Sequence, residues 1–80
     1  KKDGVEKWWH ENGQLSYRGL WVNDIAEGEH IRYYENGQMM ELREITNGKL
    51  NGYWKYWIED GYLFRCEIYS NGEYVESCKD

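Results

Sequence analysis

Gly28-Glu-His-Ile-Arg-Tyr-Tyr-Glu-Asn-Gly-Gln-Met-Met-Glu-Leu-Arg-Glu-Ile-Thr-Asn-Gly-Lys-Leu-Asn51 is one copy of a 24-residue unit. The copy before it spans 4–27 and the copy after it 52–75. A glycine opens each unit, at Gly4, Gly28 and Gly52. An acidic turn follows at Glu11-Asn12-Gly13, Glu35-Asn36-Gly37 and Glu59-Asp60-Gly61. A second turn comes at Asn23-Asp24, Asn47-Gly48 and Asn71-Gly72. No insertion or deletion breaks the register, and a repeat of this period decides the architecture.

Each unit reads as a β-hairpin plus a linking turn. Asn-Gly and Asp-Gly supply the two positive-φ residues of a tight hairpin turn. The segments between turns carry Trp, Tyr and Ile, which suit a pleated, half-buried surface. Strands are expected at 5–10, 14–22, 29–34 and 38–46, with counterparts in the third copy. All neighbours are antiparallel. The fold class is therefore all-β, a single elongated antiparallel meander of about six to seven strands in one domain. Residues 1–3 read as a frayed lead-in, and 76–80 as a closing strand that lacks the opening glycine. Gly19 interrupts its strand, which predicts a bulge or a close backbone approach.

A chain of 80 residues buries only roughly 60% of its unfolded surface. Aliphatic residues are few, so the burial comes from five Trp, eight Tyr and one Phe. Proline is absent, as a fully paired meander requires. The net charge of −5 argues against direct binding to nucleic acid or to an anionic membrane, and it permits a basic protein partner. No apolar run approaches the roughly 18 residues of a membrane-spanning helix, and the expected location is cytoplasmic.

The pattern G-x-W-x-x-W-I-E-D-G at 52–61, with G-x-x-x-x-Y-Y-E-N-G at 28–37, resembles the MORN-repeat variant. The likeness continues from Met39 through Ile45 to Asn47-Gly48, and from Leu63 through Tyr69 to Asn71-Gly72. The first copy departs at Asn23-Asp24 and at Trp21. The resemblance implies a curved sheet of hairpins. Its bacterial members imply an antitoxin, immunity or phage-type inhibitor role. Its eukaryotic members imply scaffolds, dimerisation modules or membrane attachment.

The candidate binding residues follow from the repeat. Trp9, Tyr33 and Trp57 share one face, and Trp8, Tyr34 and Tyr56 share the other. One face is expected to be packed and the other to keep an aromatic row. Glu11, Glu35 and Glu59 line one rim and would steer a basic partner. The first reading is thus a non-enzymatic protein-binding module using Trp9, Tyr33, Trp57, Glu11, Glu35 and Glu59, with no cofactor. If the opposite face is bare, the aromatic set becomes Trp8, Tyr34 and Tyr56. The second reading is a structural module that self-associates, as a homodimer, through sheet edges or faces. His10 and His30 fall at different repeat positions and suggest no metal site. Cys66 and Cys78 flank Asn71-Gly72, so Cys66 faces Ser77 or Cys78. A cytoplasmic setting favours two reduced thiols, with a disulfide as the alternative.

Overall fold

A computed structural model describes residues 2–78 of the chain. Seven strands run in sequence order: β1 (Gly4–Trp9), β2 (Leu15–Val22), β3 (Ile25–Tyr33), β4 (Met39–Thr46), β5 (Lys49–Trp57), β6 (Leu63–Ser70) and β7 (Glu73–Ser77). They form one open antiparallel sheet in the order β1-β2-β3-β4-β5-β6-β7. This is the expected meander. The closing strand, expected at 76–80, is β7, which begins earlier, at Glu73, and ends at Ser77; residues 79 and 80 of that expectation lie outside the described residues.

The two kinds of turn differ from each other. At Asn47-Gly48 and Asn71-Gly72 both residues have positive φ, and Asn23-Asp24 does the same without a glycine (φ 51° and 69°). These are the tight two-residue turns that match strand twist. At the acidic turns only Gly13, Gly37 and Gly61 are positive, which corrects the expectation of two such residues. There the Gly13 N–H donates to His10 O (3.0 Å) and the His10 N–H to Gln14 O (2.8 Å). The loop is therefore three residues long, a type I turn closed by a left-handed glycine. Asn12 stays right-handed because its side chain has work there: Asn12 Oδ1 accepts the Gln14 N–H (2.9 Å). The extra residue shifts the register beside each acidic turn, between Trp8 and Trp9, Arg32 and Tyr33, and Tyr56 and Trp57.

A second irregularity sits at mid-strand. Gly28 and Gly52 do not open strands; they lie inside β3 and β5 with φ of 71° and 124°. Opposite them the register jumps between Arg18 and Leu20, and between Arg43 and Ile45. Bulges of this kind add twist and bend the strand. There are two such shifts in each repeat.

Repeats are tied to each other turn by turn. Asn12 Nδ2 donates to Glu35 O (2.9 Å) and Asn36 Nδ2 to Glu59 O (3.2 Å). On the opposite rim the Asn47 N–H donates to Glu27 Oε2 and the Asn71 N–H to Asn51 Oδ1. The same rule fixes the lead-in. The Asn23 N–H donates to Asp3 Oδ1, the Asp24 N–H to Lys2 O, and the Lys2 N–H to Asp24 Oδ1. Lys2 and Asp3 are thus docked rather than frayed, because each linking turn requires a strand start to rest on.

The plate measures 36 × 36 × 10 Å between Cα atoms, which is one layer thick. Its accessible surface is 5632 Å², against about 5,100 Å² for a compact monomer of this mass. Among the described side chains only Ile31, Cys66, His30 and Glu41 are buried. Neither face is packed, which corrects the expectation of one covered face. Antiparallel sheets with a layer on neither side have no core in which to hide large side chains.

Candidate protein-binding surfaces

The two faces differ in chemistry, and the strand pairing shows how. One file of side chains crosses six strands as Trp8, Tyr17, Arg32, Glu41, Tyr56 and Arg65. A parallel file holds His30, Arg43, Trp54 and Glu67. This is the polar face. A furrow of about 580 Å³ runs along it over Trp8, Tyr17, Trp21, His30, Arg32 and Glu41.

The polar tips on this face are tied to one another. Tyr17 Oη lies 2.8 Å from His30 Nδ1, and His30 Nε2 lies 2.9 Å from Leu20 O. A carbonyl can only accept, so Nε2 carries the hydrogen, and in the neutral ring Nδ1 accepts from Tyr17. Gly19 leaves room for that ring. A Cβ at residue 19 would meet His30 Cε1 at 2.7 Å. The close approach expected at Gly19 is therefore the imidazole of His30. Glu41 accepts from Trp54 Nε1 (2.8 Å) and Arg43 Nε (3.1 Å), which satisfies a buried carboxylate. Arg65 lies over the Trp54 ring and pairs with Glu67. What this face presents outward is aromatic ring surface and guanidinium.

Glu6 closes the β1 end of the furrow. The Trp8 indole N–H (2.9 Å) and the Lys2 ammonium (3.1 Å) hold its carboxyl below the ordinary value of 4.5, the indole being the larger cause. A carboxylate depressed in the fold stabilises it above the unfolded value, and the gain disappears as pH falls through the folded one. The acid limb of unfolding in Glu6→Gln should therefore be flatter than in the parent below pH 4.5. Far-ultraviolet circular dichroism against pH reads it, and identical limbs would mean that the two contacts do not act on stability.

By strand alternation Trp9, Tyr33 and Trp57 share the other face with Val5, Lys7, Ile31 and Leu42. They pair across strands with Leu15, Met39 and Leu63. Ile31 is buried at its centre, while Val5 and Trp9 stand about 60% exposed (60% and 61%). Tyr33 and Trp57 are half-buried. Lys7, Arg18 and Lys55 are the basic residues in its central file. This is the apolar face.

The structure brings the three expected aromatics together on that face. Glu11, Glu35 and Glu59 all stand exposed on neighbouring acidic turns, linked by the Asn12 and Asn36 bonds. Turns two strands apart are separated by about 9–10 Å, close to a Debye length, so the three charges act jointly on an approaching protein. In the alternative set Trp8 (57%) and Tyr56 (36%) are exposed and Tyr34 is half-buried. The Tyr34 hydroxyl donates to Trp57 O (2.8 Å), and burial pushes its pKa up. Trp8 stacks edge-on to Tyr17, and Tyr56 edge-on to Phe64.

Sequence reading missed the polar face as a unit, namely Arg32, Arg43 and Arg65 with His30 and Glu41. A signal existed, since Tyr17, Glu41 and Arg65 are 24 apart and share one file. The bulges conceal it, because simple alternation fails across them. Among the described residues no group of three His, Cys, Asp or Glu side chains could hold a metal ion.

Comparison with curated proteins and with solved structures returns no match. The model of the MORN repeat variant family matches residues 2–23 and 26–47. The third copy is not matched, although its acidic turn, bulged glycine and pairing repeat those of the first two. The matched segments cover more than half of the chain and coincide with two of the hairpin units, so the protein belongs to the MORN repeat variant family.

Proposed function

We propose that this chain is a non-enzymatic module that binds another protein and acts by occupancy, as an antitoxin, immunity protein or phage-type inhibitor does. The observation that carries this reading is the bare apolar face. A sheet one layer thick leaves Trp9 open to water beside the half-buried Tyr33 and Trp57 at one rim, and Val22 and Ile25 open at the other. Exposed apolar surface flanking basic residues on a small protein is a candidate interaction site, and Trp and Tyr dominate the energetics of such sites. The acidic row of Glu11, Glu35 and Glu59 at its rim favours a basic partner. A cytoplasmic target that handles nucleic acid has that charge.

One observation favours the second reading. Strands β1 and β7 both have an open outer edge, and open edges pair. The experiment therefore begins with native mass by light scattering, followed by affinity capture from the source cell. The first reading expects a monomer that retains one basic protein at one-to-one stoichiometry. Reversing Glu11, Glu35 and Glu59 to Lys should cut that association about 10–100-fold with no change in the folded spectrum. A stable dimer that retains nothing would replace this reading with self-assembly.

A further inference from the structure

Cys66 and Cys78 are joined by a disulfide, and no described cysteine is free. This overturns the expectation of two reduced thiols, and the pairing geometry explains it. The register between β6 and β7 sets Glu67 opposite Ser77, so Cys66 and Cys78 come next, with Cα atoms 5.1 Å apart. The Cys78 N–H also donates to Cys66 O (2.8 Å).

The bond holds a strand that little else holds. All five residues of β7 are exposed. Tyr74 rests edge-on against Tyr69 at 5.8 Å, yet remains 56% exposed. The outer edge of β7 is unpaired. Its register against β6 slips between Ile68 and Tyr69. Edge elements with no buried side chain open at little cost in free energy. By contrast Cys66 is buried, so one end of the clamp is fixed in the sheet and the other ends the loose strand.

We propose that the outer edge of β6 is a binding surface for an extended strand, opened by reduction of the Cys66–Cys78 disulfide. A dithiol reductant supplies two electrons and two protons. The sulfur–sulfur bond breaks, both cysteines become thiols, and the reductant closes to its own disulfide. Released β7 then exposes the backbone N–H and C=O groups of residues 67–70, which a new strand can pair by β-augmentation. The occupant is defined by what sits there now: an extended segment with an aromatic residue opposite Tyr69, where Tyr74 lies. Disulfides in reducing compartments are as a rule transient and redox-sensing. This surface is the sheet's edge, so it works independently of the apolar face.

The test uses the full chain, oxidised or reduced with dithiothreitol, and amide hydrogen exchange. Removing a loop constraint of this length should speed exchange in β7 about 100-fold and leave β3 and β4 unchanged. A fluorescent peptide, Gly-Glu-Tyr-Val-Glu-Ser, copies residues 72–77. It should bind the reduced chain and not the oxidised one, at roughly millimolar peptide because tethered β7 competes. Cys78→Ser leaves the buried Cys66 in place and should behave as the reduced chain without reductant. The proposal is overturned if β7 stays protected on reduction, if protection falls equally throughout the sheet, or if the peptide binds both forms or neither.

Discussion

Gly52→Ala should destabilise the protein by about 3 kcal/mol, lowering its melting temperature by roughly 12–24 °C. Two costs combine. Residue 52 sits at φ 124°, where an L side chain is strained by about 1–3 kcal/mol. The new Cβ would also lie 3.0 Å from Glu44 Cβ and closer still to Glu44 Oε1. That oxygen accepts the Tyr53 N–H at 2.9 Å, so moving it breaks the bond that seats the bulge. The loss is large against the roughly 4–12 kcal/mol available to a domain of this size. Gly4 is the internal control. It holds the equivalent repeat position at φ 107°, but a Cβ there meets nothing within 4 Å. Gly4→Ala should therefore cost about 1–2 kcal/mol, from backbone strain alone. Urea unfolding of both variants separates the terms. Equal losses would show that Glu44 simply swings aside.

The second large effect is a coupling between Gly19 and His30. Gly19→Ala drives a methyl into the imidazole and the Tyr17 hydroxyl and should cost about 2 kcal/mol. His30→Ala empties a buried site and strands the Leu20 carbonyl and the Tyr17 hydroxyl, for about 2–3 kcal/mol. The double variant should cost about 1–2 kcal/mol less than the sum, because the methyl then occupies space the ring has left. A urea-based double-mutant cycle measures this. Strict additivity would mean that the ring reorients around the methyl and that Gly19 is not there for His30.

Both effects start from glycines whose meaning the chain states only in part. That Gly19 marks an approach is legible from an isolated glycine within a strand pattern. That the approaching group is His30, eleven residues on, depends on the bulge that slips β3 against β2. Gly28 and Gly52 read as openings of units because they recur. They act instead as mid-strand bends, since the linking turns are short enough for the strands to begin at Ile25 and Lys49. The acidic turns looked like the linking turns because Asn-Gly occurs in both. The side-chain bond from Asn12 to the Gln14 N–H separates them, and it forms only where a third loop residue gives it room.

The unit, the number of strands, their antiparallel order and the placing of three glutamates along one rim can all be read from the linear chain. Those follow from local rules: turn chemistry every twelve or so residues and β-forming segments between turns. Which face is apolar, what Gly19 accommodates and that Cys66 meets Cys78 become visible once the strands are paired. Each of these depends on register, and every bulge moves the register by a residue or more. The sum of such shifts is a property of paired strands, because it is set by hydrogen bonds between segments that the linear chain keeps apart.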